Sequence, residues 1–253
     1  MNLLRAWGTL ASLTFRRLLF SASTMMVLLP LAGCLLFVLR RHYGREYSSD
    51  EFKDFSEFVI LIFASFVVPI CALAFGTASV GGDREDRTLV FLLVRPIPRA
   101  LILLAKFTAT LPLVIGLVIG SYWLLCRLAG DVGRTAFELY LPALVYMTLA
   151  YVCLFHLFAV SFRHSTILAL VYSLFMELLL GNLPGIVKRV AVNYYGRSLM
   201  YAAGAPEGLP PPDPRWFEPL SVDVATGALL GIAAGSLLLA AVVFSRREYR
   251  DLT

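Results

Sequence analysis

Residues 81–106 read GGDREDRTLVFLLVRPIPRALILLAK and form the densest charged island in a very apolar chain. Long apolar runs lie on both sides, so this stretch, which we call the elbow, predicts a polar connection between two membrane-spanning helices. The pair Gly81 and Gly82 favours the end of the first helix. Asp83 is a suitable N-cap for a new helix, and Pro96 ends one. We therefore expect a short helix over residues 83–95, outside the bilayer.

The predicted elbow helix is amphipathic. Leu89, Leu92 and Leu93 recur at helical spacing and would share one face, whereas the arginines of the stretch lie elsewhere around the axis. The plain alternative is an ordinary polar loop whose charges belong in water. Composition alone does not choose between a docking helix and such a loop.

The stretch RTLVFLLVRPIPRALILLAKF, residues 87–107, is similar to the segment between the second and third spans of ABC-2 type permeases. These are the membrane subunits of ATP-driven transporters. In that family an acidic-basic cluster is followed by Thr-Leu, a Leu-Leu pair, a Pro, an Arg and then a Lys in the next span. The matching positions here are Glu85, Asp86, Thr88, Leu89, Leu92, Leu93, Pro96, Arg99 and Lys106.

This resemblance implies that the elbow is a coupling helix that docks on a cytosolic ABC ATPase, of which the complete complex has two subunits. It also implies a second permease copy or a homologue as dimer partner. The implied docking residues are Asp83, Arg84, Glu85, Asp86, Arg87, Thr88, Leu89, Leu92, Leu93, Arg95, Pro96 and Arg99.

Composition excludes an ordinary soluble domain. The chain of 253 residues is 59% hydrophobic and 15% charged, with a mean hydropathy of +0.78, which is typical of a polytopic membrane protein. The net charge of +5 favours contact with anionic lipid headgroups over nucleic acid. The cysteines at 34, 71, 126 and 153 lie in or at the end of apolar runs without metal-ligand spacing, so we expect free thiols and no metal site.

Six apolar runs are long enough to cross a hydrocarbon core, for which about 20 residues are needed. We expect an all-α integral membrane protein, a single transmembrane domain over residues 1–253. Residues 40–57 and 127–138 would be short polar links, and Pro30, Pro69 and Pro112 are candidate kinks. The predicted spans are residues 18–39, 58–80, 100–126, 139–162, 166–187 and 224–244.

Residues 1–17 carry a polar stripe at steps of three and four, opposite an apolar side. This pattern predicts a helix lying in the membrane interface, with Arg5, Trp7, Arg16 and Arg17 as anchors. The alternative is a first span that extends beyond the bilayer. A lipoprotein-like box at residues 31–34 is disfavoured because the apolar run continues past it.

An even number of spans places both termini on the side of the elbow. That side carries twelve of the 22 Lys and Arg residues, which is weak support for cytoplasmic termini. The resemblance points the same way, because an ATPase partner must be cytosolic. We expect a multi-pass protein of the cytoplasmic (inner) membrane.

Residues 188–223 form the longest segment on the other side. Basic and aromatic residues alternate there at roughly helical spacing, which predicts one or two short helices dipping into the outer leaflet. Trp216 and Phe217 would anchor the segment at the interface. ABC-2 type permeases carry a similar pair of re-entrant helices between their fifth and sixth spans. The alternative is a peripheral loop with aromatic anchoring.

The chain lacks the Lys and Ser or Thr of a nucleotide-binding loop after the glycines at 76 and 81. ATP and Mg would therefore bind to the partner ATPase subunits, with no cofactor in this chain and no catalytic residue. Glu177 and Asn182 lie in the predicted fifth span, and His156 is a possible partner. They either line a translocation path or dimer seam, or Glu177 is a protonated structural residue.

The preferred interpretation is the permease subunit of an ABC exporter. One alternative is a membrane subunit that passes mechanical work to an extracytoplasmic partner without moving a substrate. Another is a membrane-embedded lipid-processing enzyme, which is disfavoured because the densest acids lie in the elbow with no histidine beside them. The sequence does not select a substrate.

Overall fold

The structure is a computed structural model that describes residues 3–43, 51–85, 98–175, 186–210, 212–214 and 217–246. All regular structure in those ranges is helical. The α-helices are α1 (Leu3–Leu19), α2 (Ala22–Tyr43), α3 (Glu51–Phe58), α4 (Val68–Glu85), α5 (Arg99–Leu128), α6 (Gly130–Ser161), α7 (Ser165–Tyr172), α8 (Val192–Gly204) and α9 (Val222–Arg246). A π-helical segment, Val59–Val67, joins α3 to α4, and 3₁₀ turns cover Ile186–Val190 and Ala205–Glu207.

Helix α6 lies at the centre of the bundle, packed against α4, α5 and α9. Its side chains at Tyr140, Met147, Tyr151 and Phe155 are fully buried, with 0% exposure each. The peripheral helices α2 and α9 instead expose large apolar side chains, as at Leu29 with 77% exposure. Such surfaces suit contact with lipid tails.

Five helical stretches are long and apolar enough to cross a membrane, judged by length and composition. They are Ser23–Arg40, Glu51–Arg84, Arg99–Leu128, Gly130–Ser161 and Val222–Arg246. The predicted fifth span begins as α7, and its shorter apolar helix reaches Phe175. The continuation at 176–185 lies outside the described residues, so five candidate spans are established and a sixth stays a prediction.

The predicted polar link at 127–138 is wrong. Helix α5 ends at Leu128 and α6 begins at Gly130, which leaves Ala129 alone between them. Gly130 has a φ of +71°, a left-handed conformation that glycine adopts without steric cost. Asp131 and Glu138 misled the prediction because they lie on the exposed side of a helix whose other side is buried.

The second predicted span is longer than expected, because α3, the π-helical segment and α4 run without a break from Glu51 to Glu85. Residues 51–57, expected in a polar link, are therefore helical. The pair Gly81 and Gly82 does not end the helix. A Cβ at position 81 would lie 2.8 Å from Ser165 Oγ, and one at position 82 would lie 3.2 Å from Arg17 Nη2. These glycines permit close packing rather than a turn.

Helices α1 and α2 are separate elements, divided at Phe20 and Ser21. The hydroxyls of Ser21 and Thr24 each donate to the carbonyl oxygen of Leu18 at 2.8 Å, so they satisfy a helix-end carbonyl at the break. One continuous extended first span is therefore excluded. Helix α1 packs along α5, and its place in the membrane interface stays a prediction.

Candidate functional site

One end of the bundle, where α4 leads into the elbow and α5 leaves it, carries a buried charge cluster. We call it the inner end after the predicted orientation of the elbow. The Asp83 carboxylate on α4 is only 5% exposed. One of its oxygens pairs with the Arg17 guanidinium of α1, and the other pairs with the Lys106 ammonium of α5. We call these three residues the Asp83 node. It joins three helices through a single side chain.

Lys106 is the most deeply buried member of the node, at 2% exposure. Its Nζ also donates to the backbone carbonyl oxygen of Ser79 at 2.5 Å. Burying a lone ammonium is costly, and the cost is offset only when a counter-charge and hydrogen-bond acceptors surround it. Asp83 and the Ser79 carbonyl supply both, so α4 and α5 are held together where the elbow begins and ends.

His156 of α6 lies beside the node and is fully buried. Its Nδ1 lies 2.8 Å from the Val152 carbonyl oxygen and its Nε2 lies 3.0 Å from Ser79 Oγ. A carbonyl can only accept, so Nδ1 carries the proton and Nε2 is an acceptor. The Ser79 hydroxyl has one proton for two acceptors, His156 Nε2 and the Gly76 carbonyl oxygen at 2.9 Å. Ser79 therefore binds Lys106 through its backbone and His156 through its side chain.

Two further contacts extend this region to α6 and α7. Arg84, 8% exposed, donates from Nη1 to the carbonyl oxygen of Phe162 at 2.7 Å, just past the end of α6. A cation at that position complements the negative end of the helix dipole. The Thr166 hydroxyl of α7 donates to Thr77 Oγ1 of α4 at 3.2 Å. The last turns of α4 thus contact four other helices.

The structure corrects the predicted start of the elbow helix. Asp83 does not cap a new helix, because it and Arg84 lie inside the last turns of α4 and are buried. Arg99 begins α5 and is half-buried. Helix α4 ends at Glu85, whose side chain is not described. The remaining predicted docking residues, Asp86, Arg87, Thr88, Leu89, Leu92, Leu93, Arg95 and Pro96, lie outside the described residues.

Some of the other predicted site residues are placed by the structure, and others lie outside the described residues. Glu177 and Asn182 lie outside the described residues, so their place on a path or dimer seam stays a prediction; His156 contacts Ser79 of α4. Among the predicted anchors, Arg16 is exposed and Trp7 is half-buried. Arg17, predicted as an interfacial anchor, is partly exposed and pairs with Asp83. The Arg5 side chain and Trp216 are not described.

The sequence analysis did not predict that the residues of the Asp83 node contact one another inside the protein. The available signal was Lys106 itself, a cation within an apolar run. An ionisable residue at such a position almost always faces the protein interior and a partner. Asp83 is an acid at the end of the preceding span, on the same side of the membrane.

We call the opposite end of the bundle the outer end. There, helix α8 and residues 217–220 form what we call the outer cap. The Tyr194 hydroxyl of α8 donates to the Glu218 carbonyl oxygen at 2.7 Å. Phe217 is 3% exposed, and the Arg197 guanidinium lies 4.5 Å from its ring centroid. Phe217 is therefore a core residue of the cap rather than a lipid anchor, and the alternative of a peripheral loop is wrong.

The outer cap is seated on the bundle by neutral polar contacts. Ser65 Oγ of the π-helical segment lies 2.9 Å from Asn193 Oδ1 of α8. The Tyr140 hydroxyl of α6, which donates to Ser56 Oγ of α3 at 2.8 Å, lies close against Gly204 of α8, where an added Cβ would be 2.6 Å away. Burial raises the pKa of the Tyr194 phenol, so Tyr194 stays protonated and neutral at physiological pH. The cap is thus held by aromatic packing and neutral hydrogen bonds, with cations stacked on rings.

The five candidate spans and the charged network at one end define a polytopic helical membrane protein. A family model described as ABC-2 family transporter protein matches residues 16–249, which is nearly the whole chain. The chain belongs to this family, whose members are membrane transport subunits that are not catalytic by themselves. This match confirms the resemblance carried by the elbow. Comparison with curated proteins returns no match.

Proposed function

We propose that this chain is the permease subunit of an ABC exporter in the cytoplasmic membrane, with both termini in the cytoplasm. Two copies, or one copy and a homologue, pair in the bilayer and rest on two ATPase subunits that bind ATP and Mg. The elbow docks on the ATPase. The Asp83 node then passes the movement of the elbow into the bundle.

The observation that carries this proposal is the position of the Asp83 node. Helix α4 ends at Glu85, two residues after Asp83, and α5 begins at Arg99, two turns before Lys106. Residues 86–97 belong to the connection between these two helices. The ion pair between Asp83 and Lys106 therefore closes the base of the elbow. A force on the elbow acts on α4 and α5 as a pair, because separating them would leave a buried ammonium without its counter-charge.

Arg17 adds α1 to the same unit. It reaches Asp83 from the N-terminal helix, and α1 packs along α5. A displacement of the elbow is thus delivered to three helices at once. ATP binding must favour one arrangement of these helices by differential contacts, since equal affinity for two states shifts no population.

Burial of the outer cap favours transport over mechanical work on an outer partner. Helix α8 packs against α6 and α9, and its Val192 and Met200 belong to the main core, so the cap is packed on the bundle rather than projecting from it. Movement of a solute into or out of sealed vesicles that contain the complex distinguishes the two functions. A complex that hydrolyses ATP and moves no solute would favour mechanical work.

Docking of the elbow is tested by co-purification with an ABC ATPase expressed together with this chain. We expect Leu92→Asp or Leu93→Asp to abolish co-purification, because a carboxylate cannot enter an apolar groove without a partner. Membrane insertion should be unchanged. The matched control is Phe91→Asp, which helical spacing places on the opposite face. Co-purification that survives both leucine substitutions removes the docking role.

A further inference from the structure

The outer half of the second spanning stretch is wound as a π-helix over the nine residues Val59–Val67. The backbone N–H of Val68 accordingly donates to the carbonyl oxygen of Phe63, five residues back. π-helices are rare, occur mostly as single turns and often mark functional positions. This one is largely buried and lies against α8 of the outer cap. Its length therefore calls for a physical reason.

Pro69 supplies part of that reason. It has no N–H, so it leaves one carbonyl without a backbone donor under either winding. In an α-helix its ring would also clash with the carbonyl four residues earlier, at Ser65. Pro69 thus weakens the usual advantage of the α-helix directly before it. The difference in free energy between π winding and α winding of Val59–Val67 is therefore smaller than in a helix that no proline follows.

Ser65 links the winding to the outer cap. Its Oγ lies 2.7 Å from the Ile60 carbonyl oxygen, five residues back, and 2.9 Å from Asn193 Oδ1 of α8. A hydroxyl has one proton, so Ser65 can donate to only one of these two acceptors at a time. One choice closes a turn within the π-helix, and the other binds the cap. Both distances depend on the direction in which π winding points the Ser65 side chain.

We propose that Val59–Val67 is a conformational latch for the outer cap. In the π winding Ser65 faces Asn193 and α8 is held on the bundle. Rewinding to an α-helix turns Ser65 away from Asn193 and releases α8. The latch is a property of this chain, and its link to ATP rests on the proposed function. The inner part of the same helix, α4, is packed against α6 and carries Asp83 at its end, so movement of the elbow reaches the latch through a stiff rod.

Cysteine cross-linking in the full-length chain tests the latch. Ser65→Cys and Asn193→Cys are combined in a background with the four native cysteines replaced, and membranes are oxidised. We expect ready cross-linking. Deleting Ile62, which is 45% exposed, shortens the π-helical segment by one residue and so favours α winding. The cross-linked fraction should then fall at least tenfold. Ile62→Ala, which removes the side chain and keeps the length, should cross-link like the parent.

Pro69→Ala is a milder second variant, which restores the missing donor and removes the clash, and it should lower cross-linking several-fold. Failure of the parent pair to cross-link overturns the proposal. Cross-linking of the Ile62 deletion or of Pro69→Ala at the parent's level overturns it as well, because the winding would then not set the contact. If the deletion prevents folding, Pro69→Ala decides the question.

A nucleotide experiment separates the latch from the proposed function. In a complex with a bound ATPase, a non-hydrolysable ATP analogue should lower the cross-linked fraction of the parent several-fold. An unchanged fraction in a complex that still co-purifies overturns the link between ATP binding and the latch, and it leaves the permease assignment standing. Absence of any bound ATPase contradicts the proposed function instead, and the deletion experiment still decides the latch.

Discussion

The two ends of the bundle are held together by different chemistry. At the inner end, charges pair in a buried site: Asp83 binds Lys106 and Arg17. At the outer end, the cap's buried cations Lys188 and Arg197 stack on aromatic rings, and neutral hydrogen bonds such as that between Ser65 and Asn193 complete the cap. A buried ion pair is costly to break, because one partner is left charged and uncompensated, whereas a neutral hydrogen bond contributes about 1 kcal/mol net.

This difference indicates which end moves as a unit and which end rearranges. Helices joined through the Asp83 node are expected to stay together during a conformational change, since separating them exposes a charge to a medium that solvates it poorly. Neutral contacts can be exchanged one at a time at small cost. The inner end is therefore suited to receive force, and the outer end is suited to open.

Substitution of Asp83 tests the inner end most directly. Asp83→Asn leaves Lys106 buried without its counter-charge, so the free energy of unfolding should fall by about 3–5 kcal/mol. Thermal unfolding of the detergent-purified chain, followed by circular dichroism, measures this loss. Asp131→Asn is the matched control, because Asp131 is exposed in the first turn of α6. It should change the stability little.

A double variant separates stability from coupling. Asp83→Asn combined with Lys106→Met removes both charges at similar volume, and replacing a buried ion pair by apolar groups is often neutral or stabilising. We expect the double variant to recover most of the lost stability while ATPase stimulation by the permease stays impaired. A double variant as unstable as Asp83→Asn alone would show that the ion pair does not account for the loss. Full recovery of stimulation would show that the node holds the fold and transmits nothing.

The hairpin between α5 and α6 also lies at the outer end, but we expect it to be rigid because its two helices are in close backbone contact. A Cβ on Gly133 would collide with the backbone carbonyl of Cys126, which no side-chain rotation can relieve. Gly133→Ala should therefore destabilise the chain by about 1–3 kcal/mol, in line with other overpacked sites. Gly116→Ala is the control, because nothing lies within 4 Å of the added methyl group. Equal melting temperatures for the two variants would contradict the close contact in the hairpin.

The sequence predicted the features that composition and long periodicity determine. Five of the expected spans correspond to helices long and apolar enough to cross a membrane. The motif from Thr88 to Lys106 led to the correct family. Both signals are local, because an apolar run or a short motif is recognisable without knowing its neighbours in space.

The errors arose where a residue's role depends on a distant partner. Gly81 and Gly82 have the composition of a helix end, yet they allow Ser165 and Arg17 to approach α4. Phe217 has the composition of a lipid anchor, yet it packs under Tyr194, with ring centroids 5.3 Å apart. The π winding before Pro69 also depends on tertiary contacts. No local pattern contains that information.

The smallest expected effect concerns Arg17, the outermost member of the Asp83 node. Its side chain is 44% exposed, so solvent screens its pairing with Asp83. Arg17→Gln should lower the stability by about 0.2–1 kcal/mol, and the difference from the parent should shrink at high salt, where the Debye length falls to about 3 Å. Arg16→Gln, one residue earlier and exposed, should have no effect. A loss from Arg17→Gln as large as that from Asp83→Asn, and insensitive to salt, would mean that Arg17 rather than Lys106 supplies the main counter-charge, and the contrast between a buried inner pair and its screened neighbour would fail.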